Sequence, residues 1–154
     1  MSAITIRAAL PGELELLLQW REEVLRDVFS IADGAALQKL MDANRAYYSA
    51  ALSSGGHAAC FAALDGETVG CGGMCLYSEM PSPDNPGGEC AYLMNIYTRP
   101  AFRGMGVGRG IVNWLTDLAR EKGAGKIYLE ATEGGRALYR SLGFSDMENY
   151  MKLK

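Results

Sequence analysis

Three glycines in five residues, Gly104, Gly106 and Gly108, stand between an extended apolar run and a stretch with helical periodicity. The run is Ala91 to Thr98 (AYLMNIYT), nearly continuous in apolar character, as expected of a central strand covered on both faces, and Pro100 ends it. Beyond the glycines, Val107, Ile111, Leu115 and Leu118 recur on one helix face until Gly123. A strand that feeds such a turn and then a helix leaves the first helical N–H groups without intrahelical partners. The positive end of the helix dipole adds to them, so Arg99 to Arg109 reads as an anion site. Glycine lets main-chain amides come close to a diphosphate with no Cβ in the way. Arg103 adds a permanent charge beside them.

The spacing narrows the choice of ligand. The dinucleotide pattern G-x-G-x-x-G fails in both registers, because Arg109 or Ile111 stands where the third glycine belongs. The nucleotide P-loop fails as well, since no Gly-Lys-Ser/Thr is present. What stands here is R-x-x-G-x-G, from Arg103 through Gly106 to Gly108. Further on, after a strand-like run and Leu129-Glu-Ala-Thr132, comes Leu138-Tyr139-Arg140-Ser141-Leu142-Gly143-Phe144. In these two segments, in this order, the chain resembles the GNAT acetyltransferase superfamily, with its R/Q-x-x-G-x-G/A loop and its L-Y-x-x-L-G-F segment.

The resemblance implies a fold and a set of roles. The fold is α+β: a mixed, mostly antiparallel sheet flanked by helices, with strands four and five paired near their starts and splayed into a V beyond. It implies acetyl-CoA as co-substrate, its pyrophosphate on Arg103, Gly104, Met105, Gly106, Val107 and Gly108. Main-chain N–H groups of Ile96, Tyr97 and Thr98 would meet the thioester, and Tyr139 would be the general acid that protonates the departing thiolate. A phenol with a pKa of about 10 suits that task, because the thiolate is of similar basicity. Thr132 stands where many relatives carry an asparagine that helps hold the pantetheine arm. Arg136 either approaches the cofactor's phosphates or solvates a helix face.

The rest of the chain reads in agreement with one domain over residues 1–154. Ile4 to Ala8 alternates as a first strand, and Pro11-Gly12 opens a helix carrying Leu14, Leu17, Leu18, Val24, Leu25 and Val28. Asp33 is the expected cap of a second helix that Gly55-Gly56 stops, with Tyr47 and Tyr48 read as helix packing. Asp65-Gly66 between two apolar runs predicts a hairpin. Glycines 70, 72 and 73 predict a bulge or a ligand lying close to the second of its strands. Residues 80–88 (MPSPDNPGG) form a stiff surface loop, and residues 149–154 are expected to add an edge strand.

Composition excludes several classes. A net charge of −3 argues against a nucleic-acid binder working by bulk electrostatics. One histidine and four cysteines with no C-x-x-C pair give no structural metal site, and the cysteines read as reduced thiols of a cytoplasmic protein. No apolar run approaches the ~18 residues of a membrane span.

The general base is left open. No carboxylate lies within Ala91 to Thr98; Glu89 is the first candidate, ahead of Glu79, Asp84 and Glu130, and a water chain or an amine arriving neutral would serve as well. The acceptor, a small-molecule or peptide primary amine, is expected between the first two helices (residues 26–33) and the 79–89 loop, with Arg26, Tyr77, Glu79, Tyr92 and Asn95 near it. The alternative reading is a non-catalytic acyl-CoA sensor. A homodimer is common in such folds, and no residue pattern here specifies one.

Overall fold

The hairpin signal is the simplest to follow into three dimensions. In the computed structural model, which describes residues 3–154, Asp65 and Gly66 take φ of 50° and 87°, both in the left-handed region that a two-residue turn of this kind requires. The turn joins β2 (His57–Leu64) to β3 (Glu67–Ser78). β1 (Ile4–Ala8) pairs with β2, and β4 (Glu89–Thr98) with β3, all antiparallel. β5 (Lys126–Leu129) then joins β4 in parallel, giving the order β1-β2-β3-β4-β5.

Helices cover both faces of this sheet. On one side lie α1 (Leu14–Asp27) and α2 (Ala35–Ser54). Their core is aromatic: Trp20, Tyr48, Phe61 and Tyr97 pack with Leu17 and Val24. On the other side lie α3 (Val107–Glu121) and the short α4 (Arg136–Ser141). There the core is aliphatic, with Ile111, Leu115, Val107 and Val112 against Cys60, Met74 and Leu93. Fully burying each such side chain contributes roughly 1.5–3 kcal/mol.

The strand glycines answer this packing. A Cβ built on Gly72 would sit 2.4 Å from Ile111 Cγ2, and one on Gly70 would sit 3.2 Å from Val107 Cγ1. It is α3, a part of the protein itself, that lies against β3 there. The bulge is present too. Tyr97 opposes Cys71 and Met94 opposes Gly73, so Asn95 and Ile96 together face the single residue Gly72. Asn95 takes the strain, with φ of 57°.

β4 and β5 pair over four residues only, from Cys90↔Lys126 to Leu93↔Leu129. β4 runs on to Thr98 without its neighbour, which opens the gap on which the site depends.

Two expectations are corrected. Gly34, not Asp33, occupies the cap position of α2, and Asp33 pairs with Arg26 instead. Residues 149–154 form no strand: Tyr150 lays its ring 5.0 Å from Lys126 Nζ, and Met151 and Leu153 are fully exposed. An alternating run becomes a strand only where a partner ladder receives it, and β5 offers one of four residues. The 80–88 loop is more anchored than its composition suggests, because Asn85 is buried and donates to the Glu89 carbonyl at 3.1 Å. Among the described residues no helix is long and apolar enough to cross a membrane.

Candidate functional site

The glycine turn has the geometry an anion needs. Pro100–Phe102 makes a single 3-10 turn, and Gly106 then caps α3 with φ of 90° and no side-chain hydrogen bond. Gly110 N–H is the first to return to the helix, bonding the Gly106 carbonyl at 3.1 Å. The N–H groups of Val107, Gly108 and Arg109 therefore have no intrahelical acceptor, and the first turn of α3 carries no acidic side chain. Gly104, Met105 and Gly106 are exposed around them. Arg103 bends back so that its Nε donates to the Thr98 carbonyl at 3.0 Å, which ties the turn to the end of β4.

That end of β4 has free donors. Arg99 N–H bonds the Val69 carbonyl on β3 at 2.9 Å. Antiparallel ladders alternate, so the Tyr97 amide also turns to β3, while those of Ile96 and Thr98 face the side that β5 has left. Of the three main-chain donors expected from the sequence, two are thus aimed into the gap. Tyr97 contributes differently: its buried ring packs edge-on to Trp20 and its hydroxyl donates to Asp27 of α1.

Tyr139 projects from α4, half-buried against the aliphatic core, with its ring 6.0 Å from that of Phe144. Burial raises its pKa and keeps the phenol protonated. α4 abuts the glycine turn: a Cβ on Gly108 would lie 3.4 Å from Leu138 Cδ2, and Arg109 Nη2 donates to Ser141 Oγ at 3.0 Å. Thr132 is exposed and precedes the 3-10 turn Glu133–Gly135. Arg136 spends its charge locally, on Asp146 at 2.9 Å and Glu133 at 3.4 Å.

The structure does not bring Glu89 to this place. It sits at the opposite end of β4, six residues and roughly 20 Å from the bulge, where it accepts from Ser78 Oγ at 2.7 Å. Glu79 is nearby, paired with Lys126 at 3.3 Å. Arg26 is paired with Asp33 and Glu22. Tyr77 and Tyr92 line the same face of the sheet, Tyr92 stacked on Tyr128 at 4.9 Å. Of the acceptor-side residues read from the sequence, Asn95 alone lies at the bulge.

Asn95 also borders a cavity of about 290 Å³ on the α1/α2 face, which sequence reading did not assemble. Arg21, Asn44, Tyr47 and Tyr48 of the two helices meet Met94 and Asn95 of β4 there. No local pattern announces it, because Arg21 and Asn95 are 74 positions apart. Among the described residues no group of three or more His, Cys, Asp or Glu could hold a metal.

Comparison with known proteins is consistent with this geometry. A model of the acetyltransferase (GNAT) family matches residues 16–144. The chain is 30% identical to the glucosamine 6-phosphate N-acetyltransferase of Trypanosoma brucei brucei over 67 residues, 44% of this chain and 46% of that protein. It is 28% identical to the thialysine N-epsilon-acetyltransferase of Sus scrofa over 47% of this chain and 56% of the other. The chain thus spans about half the length of these curated relatives. A crystal structure of a predicted acetyltransferase with acetyl-CoA from Clostridium acetobutylicum superposes with a TM-score of 0.84 at 25% identity, covering 99% of this chain and 96% of that one. A GCN5-related N-acetyltransferase from Ralstonia eutropha JMP134 gives 0.82 at 25% identity, with 99% of each chain covered.

Proposed function

The chain belongs to the acetyltransferase (GNAT) family, and from that premise we propose that it moves an acetyl group from acetyl-CoA to a primary amine, residues 1–154 acting as a single domain. The observation that carries this reading is the conjunction of unpartnered amides at the start of α3 with the β4 edge that β5 abandons beyond Leu93. The amides of Val107, Gly108 and Arg109, with the Arg103 and Arg109 charges beside them, suit the diphosphate of coenzyme A. The edge suits its extended pantetheine arm, which can hydrogen-bond along a strand as a neighbouring strand would.

The residues divide the chemistry. The Ile96 and Thr98 N–H groups stand about 7 Å apart on one strand edge, so one donates to the thioester carbonyl and to the oxyanion that develops there, a preorganised contribution, and the other to the pantetheine arm. The amine nitrogen attacks the carbonyl carbon, the C–N bond forms, and the C–S bond breaks. Tyr139 gives its phenolic proton to the departing thiolate. The amine's surplus proton leaves through water to solvent.

Following free thiol release with acetyl-CoA and a panel of primary amines tests the proposal. Tyr139→Phe is expected to lower turnover by on the order of a hundredfold or more, with little change in acetyl-CoA affinity. Gly106→Val forces a branched side chain into the left-handed region and is expected to act the other way, raising the Kd for coenzyme A first. Binding of coenzyme A without thiol release for any amine would leave a sensor instead of an enzyme.

A further inference from the structure

Arginines in this molecule are ion-paired with few exceptions. Arg7, Arg26, Arg45, Arg99, Arg120, Arg136 and Arg140 each have a carboxylate partner. Among the described residues Arg21, Arg103 and Arg109 have none, and two of these flank the glycine turn proposed to take a diphosphate. The third stands in the cavity on the opposite face of the sheet.

Arg21 is half-buried on α1, and its neighbours are neutral. Nε donates to Asn44 Oδ1 at 3.1 Å and Nη1 to Asn95 Oδ1 at 2.8 Å. A guanidinium has five N–H donors, so three remain, in the forked arrangement that matches a carboxylate. The exposed ring of Phe29, in the turn between α1 and α2, lies 5.8 Å from Arg21 Cζ. Arg21 is the one cation among the residues that line the cavity. Burial, reinforced by the Arg21 charge, lowers the pKa of His57 to about 4 and leaves it neutral. Burial likewise holds Tyr47 and Tyr48 in their protonated forms. The Tyr47 hydroxyl is shared between His57 Nδ1 at 2.7 Å and Cys75 Sγ at 3.1 Å, so it is already satisfied. The walls are otherwise ring and thioether surface from Tyr47, Tyr48 and Met94.

We propose that this cavity seats a carboxylate of the acceptor on Arg21, so that the enzyme's acceptors are small amino acids or close analogues, compounds carrying both a primary amine and a carboxylate. The inference rests on the acetyl-transfer reading and sharpens it. Asn95 links the two halves: its side chain holds Arg21, and the amide of the next residue faces the thioester side of β4. Arg26, the other cation of the expected acceptor region, is committed to Asp33. A volume of about 290 Å³ suits one small molecule.

Matched ligand pairs test this: L-lysine against cadaverine, L-methionine against 3-(methylthio)propylamine, and L-phenylalanine against 2-phenylethylamine. Binding is measured by calorimetry and acetylation by thiol release, for the wild type, Arg21→Gln and Arg21→Lys, each checked for folding by thermal melt. The wild type is expected to favour the better amino acid over its decarboxylated partner by on the order of ten- to a hundredfold in kcat/KM and in Kd. The preference should collapse toward parity in Arg21→Gln and return in part in Arg21→Lys. Equal handling of both members of every pair by the wild type overturns the inference, whatever the variants do. A folded Arg21→Gln that loses both members equally also overturns it, leaving Arg21 as a brace for the bulge. Carboxylate-selective binding without acetylation would keep the anion site and overturn the transferase reading; acetylation without selectivity would do the reverse.

Discussion

The two faces of the sheet solve the same packing problem in different ways. Under α3 the core is aliphatic and dry, and the strand is pared to glycine so that Ile111 can settle against the backbone. Under α1 and α2 it is aromatic and hydrogen-bonded. Three polar contacts join α1 to the end of β4: Arg21 to Asn95, Glu23 to Arg99, and Asp27 to Tyr97. Aliphatic side chains interdigitate to near-crystalline density, whereas rings tied by polar tips leave space between them. The first face can therefore hold the glycine turn rigidly at the start of α3. The second keeps a cavity beside the bulge. The dense aliphatic core and the small aromatic-walled cavity thus lie on opposite sides of one five-stranded sheet.

Neighbouring glycines allow that contrast to be tested. A Cβ at Gly72 meets Ile111 at 2.4 Å inside the aliphatic core, while one at Gly73 meets His57 Nε2 at 2.7 Å on the cavity side. Gly72→Ala is expected to cost about 3 kcal/mol or more by denaturant midpoint, because the helix has nowhere to move. Gly73→Ala should cost clearly less, since His57 can tilt toward open space. Equal costs would mean that the two faces are equally close-packed.

His57 supplies the next effect. Its pKa falls to about 4 from an ordinary 6.5, by burial first and the Arg21 charge second. A base held neutral in the fold contributes its stability above pH 6.5 and loses it as the pH falls toward 4. The interval corresponds to roughly 3 kcal/mol. Unfolding measured between pH 7 and pH 4 should show this loss in the wild type, and His57→Gln should flatten it. A slope that survives the substitution would assign the acid sensitivity to other groups.

The smallest effect is expected at the α1–β4 contacts. Tyr97→Phe removes the bond to Asp27 while keeping the buried ring, and Asp27 is exposed enough to be rehydrated. A loss of about 1 kcal/mol in thermal or chemical unfolding is expected. A much larger loss would show that the polar contacts of this face matter as much as its rings.

Much of the architecture was legible in the chain because it depends on local chemistry. Asp65-Gly66 dictates a tight turn through its φ angles, the Val107–Ile111–Leu115 spacing dictates a helix, and three glycines after a strand leave its first amides bare. What was misread depended on partners. Asp33 looked like a cap until Arg26 claimed it, and residues 149–154 looked like a strand with no ladder to join.

The amino-acid order alone determined the elements, their sequence and the bare-amide glycine turn, since each is set by residues within a few positions of one another. Only the tertiary structure decided which β4 amides face the gap, that Glu89 lies at the end of its strand away from the bulge, and that Arg21 meets Asn95 across 74 residues. Those facts depend on register, twist and the direction of side chains from separate elements. Such quantities are fixed by the packing of the whole molecule, and no short stretch of chain encodes them.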